Sequence, residues 1–304
     1  MLARMAHAAD NRFDPGATAA AVRPRVLIDR RFTPLYAMAA AGVAFLIVAV
    51  AFSDFGYAHD PLDAVAILLV GLIAIGMAAR WLTVPIVPDL AETLALFAAF
   101  SVLAPLCAAI LATTDFPLAD PYLSAIDRHL FGFDRAQAVA LVYRSSTAVA
   151  AMRIAYDSIT FQPLALLVAF AVTGRNDAAR RFLGAWALTL AMCLAVFSFV
   201  PATGTPPYDL HWLDTFERLR SGALRTLGSE SLTGIITFPS FHAAAAVLLG
   251  WGFASFGRLG WPLVALNALM FASAIVGGGH YLVDLIAGAA AALIGLRLAA
   301  RLIA

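Results

Sequence analysis

The chain contains no lysine. All twenty of its basic residues are arginine, so any chemistry that needs a lysine amine is excluded. Charge of either sign is scarce. Asp, Glu, Lys and Arg make up 13% of the 304 residues and hydrophobic residues 62%, against about 25% and about 45–50% for an ordinary soluble domain. So few charges cannot cover so large an apolar core in water, and the chain reads as an integral membrane protein. A formal net charge of +1 leaves no electrostatic footprint for nucleic acid. Cysteine is limited to Cys107 and Cys193, both inside apolar runs, which argues against a disulfide framework. No apolar run stands near the start, as a cleavable signal peptide requires. Residues 1–33, with six arginines, read instead as a flexible cytoplasmic tail.

What the chain has in abundance is long apolar runs. Stretches of spanning length fall near 35–53, 62–79, 91–112, 154–173, 182–200, 240–256, 261–277 and 282–303, which makes eight expected spans. With the N-terminus inside, the inner segments hold thirteen arginines and the outer ones seven. This bias predicts cytoplasmic N- and C-termini. The long segments 113–153 and 201–238 then face outward. Residues 120–153 contain an amphipathic, helix-like stretch suited to the membrane surface, where Arg128 and Arg135 are expected to meet lipid headgroups. The segment VPATGTPPYDLHW (200–212) is rich in proline and predicts an irregular turn. No internal repeat is apparent.

Ionisable groups within spans cost roughly 2.5–3.5 kcal/mol on insertion scales, so the few present need a reason. Two segments stand out: ITFPSFHAAAAVLLG (236–250) and GGGHYLVDLIAG (277–288). Pro239 suits the opening turn of a helix, which would put Ser240 and His242 beside unsatisfied amides that attract an anion. Gly277, Gly278 and Gly279 allow close backbone approach before His280. His280 and Asp284 are four residues apart and would share a helix face, where the carboxylate fixes the imidazole tautomer. One crossing out and one back place both histidines at the same face of the membrane. Such a set can split phosphoryl transfer into two steps, one histidine attacking phosphorus and the other protonating the leaving oxygen. Two histidines and a carboxylate also match a metal site, and a polar contact between packed helices is the plainest alternative.

Phe-Pro-Ser-Phe-His (238–242) followed by Gly-Gly-His-Tyr-Leu-Val-Asp (278–284) resembles the last two motifs of the type 2 phosphatidic acid phosphatase superfamily. The closer similarity is to its inositolphosphotransferase branch, which includes inositol phosphorylceramide synthase and has a proline-rich turn like PATGTPP (201–207). The resemblance covers about residues 90–300. It implies an all-α polytopic bundle, with a six-helix core over 90–304 and two added transmembrane helices over 34–89. It also implies a phosphohistidine mechanism without metal or other cofactor: His280 as nucleophile, Asp284 as orienter and His242 as general acid. Ser240 and Gly279 would help hold phosphate. The superfamily's hydrolases carry a Lys-x6-Arg-Pro motif, which a chain without lysine cannot supply. They also carry a Ser-Arg pair where this chain has Ser273-Ala274. Arg220 and Arg225 are then the expected phosphate cations.

The expected activity is phosphoryl transfer from a lipid phosphate ester to a lipid or other alcohol acceptor, ahead of hydrolysis, at the extracytoplasmic face. Two rivals remain open, a lipid transporter or flippase and a family member that binds lipid without catalysis. A transporter predicts repeat-related broken helices and charges near the midplane. The intramembrane acids here, Asp157 and Asp284, lie near span ends.

Overall fold

The computed structural model describes residues 29–205 and 210–303; most of the expected tail, residues 1–28, lies outside them. Among the described residues the fold is all α apart from one two-residue strand pair. Helices α1 (Thr33–Ala51) and α2 (His59–Trp81) are joined by a short turn into an N-terminal hairpin whose two arms pack on α3 (Val87–Leu111) and not on each other. Three shorter helices follow: α4 (Asp120–Leu130), α5 (Arg135–Val142) and α6 (Ser146–Asp157). Then come α7 (Gln162–Val172), α8 (Asn176–Phe197), α9 (Leu210–Ser221), α10 (Phe241–Ala254), α11 (Trp261–Gly277) and α12 (Leu282–Leu302).

By length and composition α1, α2, α3, α8 and α12 can cross a bilayer, and α6 with α7 makes a sixth span if the bent pair is counted as one. The span expected at 154–173 is therefore broken, its halves meeting at 54°. A 3-10 turn at Ser158–Thr160 leads into Pro163, whose ring and missing N–H bar a continuous helix. The Ser158 hydroxyl donates to the Ala155 carbonyl and accepts from the Gln162 side chain, so polar groups at the break have partners inside the bundle. Helix α10, with 14 residues, is shorter than the span expected at 240–256, whereas α11, with 17 residues, covers 261–277 as expected.

Outside the spans the structure departs further from a plain loop reading. The stretch at 120–153 is three helices. Gly132, at φ +60°, follows α4, and Ser145 caps α6 by accepting the Ala148 N–H. The segment 201–238 contains α9 and a strand β2 (Thr226–Leu227). This strand pairs in parallel with β1 (Gly56–Tyr57), from the turn of the N-terminal hairpin.

The main core forms where α8, α10 and α12 meet, with α3 and α7 alongside. Small residues permit the approach. Gly288 of α12 lies against the Ser240 backbone, and Gly295 lies against Ala185 and Thr189 of α8. A second cluster gathers Phe55 of the hairpin turn, Phe197 at the end of α8, Phe216 of α9, and Leu227 and Ile235 before α10. The hairpin is also held at its other end. Arg80 pairs with Asp89 and Glu92, Tyr36 donates to Glu92 at 2.7 Å, and Asn176 donates to Asp89 at 2.7 Å.

Candidate active site

Ser240 is fully buried and serves as the N-cap of α10, its Oγ accepting the Ala243 N–H at 3.3 Å. The helix thus starts at Phe241, and Pro239, expected in the opening turn, lies one residue before the cap. His242 sits in the first turn. Its ring stacks on Tyr156 of α6, with centroids 4.0 Å apart and planes 10° from parallel.

Helix α12 begins at Leu282, so His280 precedes the helix instead of sharing its face with Asp284. The pair meets for another reason. Tyr281 is the N-cap and Asp284 the third helical residue, and the Asp284 carboxylate reaches back over the cap. Its Oδ2 accepts the Tyr281 N–H at 2.9 Å and lies 3.3 Å from His280 Nδ1. One oxygen caps the helix and orients the imidazole, which leaves Nε2 for chemistry. The two motifs also touch directly, the Ser240 N–H donating to the Asp284 carbonyl at 3.0 Å. Gly288 makes room for that contact.

His242 and His280 line one cavity of about 270 Å³, together with Tyr156, Trp186, Gly278 and the run Leu232–Thr237. Gly277 and Gly278 lie against the Tyr156 side chain. Gly279, at φ +67°, turns the chain, and its carbonyl accepts the Thr205 N–H at 3.0 Å. Neither Gly279 nor Ser240 lines the cavity. Both hold the backbone around it.

Several functional residues escaped the sequence reading. The amphipathic α4 turns its acidic face to the histidine loop. Asp127, 3% exposed, accepts the Leu282 and Val283 N–H groups at 2.7 and 2.9 Å, one on each oxygen. Asp120 accepts the Thr203 and Gly204 N–H groups at 3.0 and 2.7 Å and the Tyr281 hydroxyl at 3.2 Å. Burial and the Asp120 carboxylate push the Tyr281 phenol above its ordinary range, so it keeps the proton it donates. The two acids stand seven residues apart, two helical turns on one face, and that spacing was the available signal.

Arg220 and Arg225 are not brought to the histidines. Arg220 Nη2 donates to the Phe116 carbonyl at 2.9 Å. Arg225 Nη1 donates to the Leu219 carbonyl at 3.1 Å, with its guanidinium over the Phe55 ring. Neither lines the cavity that holds the histidines. Arg128 and Arg135 instead line a second cavity, of about 400 Å³, with Thr205 and Tyr281. Arg135 is 8% exposed, and its Nε donates to the Ile275 carbonyl at 3.1 Å, next to Ala274. The two arginines have the Lys-x6-Arg spacing, with Arg in the Lys position and Ala136 in the Pro position. In a chain whose every base is arginine, that substitution was readable. Among the described residues, no three His, Cys, Asp or Glu side chains gather as ligands for a metal ion.

Neither a curated protein nor a solved structure matches the chain. A family model does, over residues 121–298, which takes in α4 and Arg128–Arg135 as well as both histidine motifs and leaves out α1, α2 and α3. That match covers more than half of the sequence, and the chain belongs to the PAP2 superfamily.

Proposed function

We propose that this protein is a membrane-embedded phosphotransferase or phosphatase that acts on lipid phosphate esters through a phosphohistidine. Superfamily membership supplies the coarser part, phosphatase or phosphotransferase chemistry on phosphate esters. The finer reading rests on one observation. A single Asp284 oxygen holds both the Tyr281 amide and His280 Nδ1, at the cavity that His242 shares.

His280 Nε2 attacks phosphorus and the bond from phosphorus to the leaving oxygen breaks. His242, as the imidazolium, gives that oxygen its proton. In the second step His242 takes a proton from the acceptor hydroxyl, whose oxygen displaces Nε2 from phosphorus. Arg128 and Arg135 line the neighbouring cavity beside Tyr281 and stand at the Lys-x6-Arg spacing. They are the guanidiniums assigned here, in place of Arg220 and Arg225, to the charge on the phosphoryl oxygens, where bidentate contacts serve well. Ser240 and Gly279 act by shaping the turns that present the histidines. Transfer to an alcohol is favoured over hydrolysis because Trp186, Leu190, Ile235 and Phe241 give the cavity apolar walls that limit water. The resemblance of the motifs to those of the inositolphosphotransferase branch favours the same direction. The arginine bias of the sequence puts the site on the extracytoplasmic side and both termini in the cytoplasm.

The test is a quenched reaction of the reconstituted protein with a phosphate-labelled lipid donor. Wild type is expected to trap acid-labile, base-stable label on His280. His280→Ala should trap none and turn over nothing, and His242→Ala should slow turnover by roughly 10²–10⁴-fold. Full activity in a well-folded His280→Ala variant would overturn the covalent mechanism.

A further inference from the structure

The family match leaves the N-terminal hairpin unexplained. We propose that this hairpin is part of the substrate site and selects the apolar chain carried by the phosphate ester. The inference rests on the phosphate-ester reading above and adds to it where the chain of the substrate lies.

The first observation is an apolar slot of about 230 Å³ between α1, α3 and α8. Its α1 wall is Met38, Ala41 and Gly42, and the facing wall includes Leu103 and Ala191. No lining side chain carries an oxygen or nitrogen. The slot abuts the cavity that holds the histidines, Ala104 and Leu190 lining both. The tail of an ester seated at His280, passing α3 and α8 at that shared wall, reaches a helix outside the matched family region. A single alkyl or isoprenoid chain fits that arrangement: one charged end at the histidines and a flexible tail that buries against Met38–Gly42. Inside a bilayer a tail gains no hydrophobic free energy by leaving lipid for the slot, so the slot selects by shape, which makes it a filter for the tail.

The second observation is independent and lies at the polar end. The run Leu232–Thr237 is a continuous wall of the catalytic cavity, and five residues earlier the chain is strapped to the hairpin turn. The Gly56 N–H donates to the Arg225 carbonyl at 2.9 Å and the Ala58 N–H to the Leu227 carbonyl at 2.7 Å. Phe55 packs with Leu224, Leu227 and Ile235, and the Ser231 hydroxyl bonds back to the Thr226 carbonyl at 3.2 Å. The hairpin thus fixes the cavity wall with its turn and the slot wall with α1.

The experiment compares kcat/KM for a short-chain and a long-chain monoalkyl phosphate in mixed micelles. In Gly42→Leu the new side chain enters the slot, where even a Cβ would sit 3.3 Å from Leu103 Cδ1. The long-to-short ratio of kcat/KM is expected to fall roughly tenfold or more, since displacing several methylenes from a shaped pocket has that effect. Ala58→Pro removes one strap donor. It should speed amide exchange over 232–237 and shift the same ratio, which keeps a test available should Gly42→Leu misfold. A ratio within twofold of wild type in both folded variants would refute the proposal and leave bulk lipid as the slot's occupant. A third arm needs no turnover. A long-chain alkyl phosphate bearing a photoreactive tail should crosslink to residues 38–42, and unlabelled long-chain phosphate should compete while short-chain phosphate should not. If wild type turns over neither donor, the phosphate-ester reading fails, and the crosslink still decides the slot.

Discussion

A carboxylate that accepts two amide N–H groups from the first turn of another helix does from outside what an N-cap side chain does from within. Asp127 plays this part for α12, and no phosphate is needed to satisfy those amides. Asp127→Ala leaves two partly buried donors in the first turn of α12, just after His280, unsatisfied. The expected loss is about 3 kcal/mol of stability, read as a lower thermal midpoint in detergent, with Asp127→Asn losing less. Arg135 and Arg220 each hold a backbone carbonyl, and what separates them is place: Arg135 lines the cavity beside Tyr281 and Arg220 does not. Arg135→Ala is expected to lower kcat/KM by roughly 10²–10³-fold, as removal of a charge-stabilising donor does. Arg220→Lys, at a side chain that holds the Phe116 carbonyl and lies over the Phe216 ring, should change it by less than about threefold. Steady-state kinetics on one lipid phosphate checks both, and a reversed order of effects would return the phosphate to Arg220.

Between elements the decisive contact is that of α10 with α12. The Ser240 N–H reaches the Asp284 carbonyl only because Gly288 has no side chain at the crossing. A methyl group there meets the Ser240 backbone, so Gly288→Ala should cost about 1–3 kcal/mol and most of the turnover. Unfolding and activity measured on one preparation test this, and a wild-type rate would show that the motifs work without touching. Much of this level was legible in the sequence. Hydropathy located the helices, and the order Ser240, His242, His280, Asp284 located the site, because apolar runs and rare intramembrane polar residues are local signals. What stayed hidden depends on partners distant in the chain. Asp120 and Asp127 lie in the stretch read as a surface helix, and only the fold brings the 281–283 segment against them. Tyr156 lies in an apolar run, and only the fold stacks His242 on it. The Ser158–Thr160 break was obscured by a hydropathy run that does not register a bend. Arg220 was favoured for nearness in sequence to His242, whereas Arg135 reaches Ile275 across 140 residues.

For the whole molecule, the arginine distribution and the fold together predict which side of the membrane the histidines face. Cys107 and Cys193 are buried, so a cysteine placed at exposed Ser221 is the thiol available to an aqueous reagent. Ser221→Cys is expected to react with an impermeant maleimide in intact cells. Labelling that requires permeabilisation would invert the orientation. The strand pair beside this site has a consequence for how the protein is made. Gly56–Tyr57 leaves the ribosome long before its partner Thr226–Leu227, 170 residues further on (226 less 56). During that interval the hairpin stands in the bilayer with Phe55 and a strand edge uncovered, the kind of surface that invites wrong pairing. Helices α1 and α2 therefore wait for a segment made much later, and the chamber around the histidines closes only once that segment and both histidine motifs have followed. Nascent chains halted before residue 226 should be the ones that membrane quality control removes.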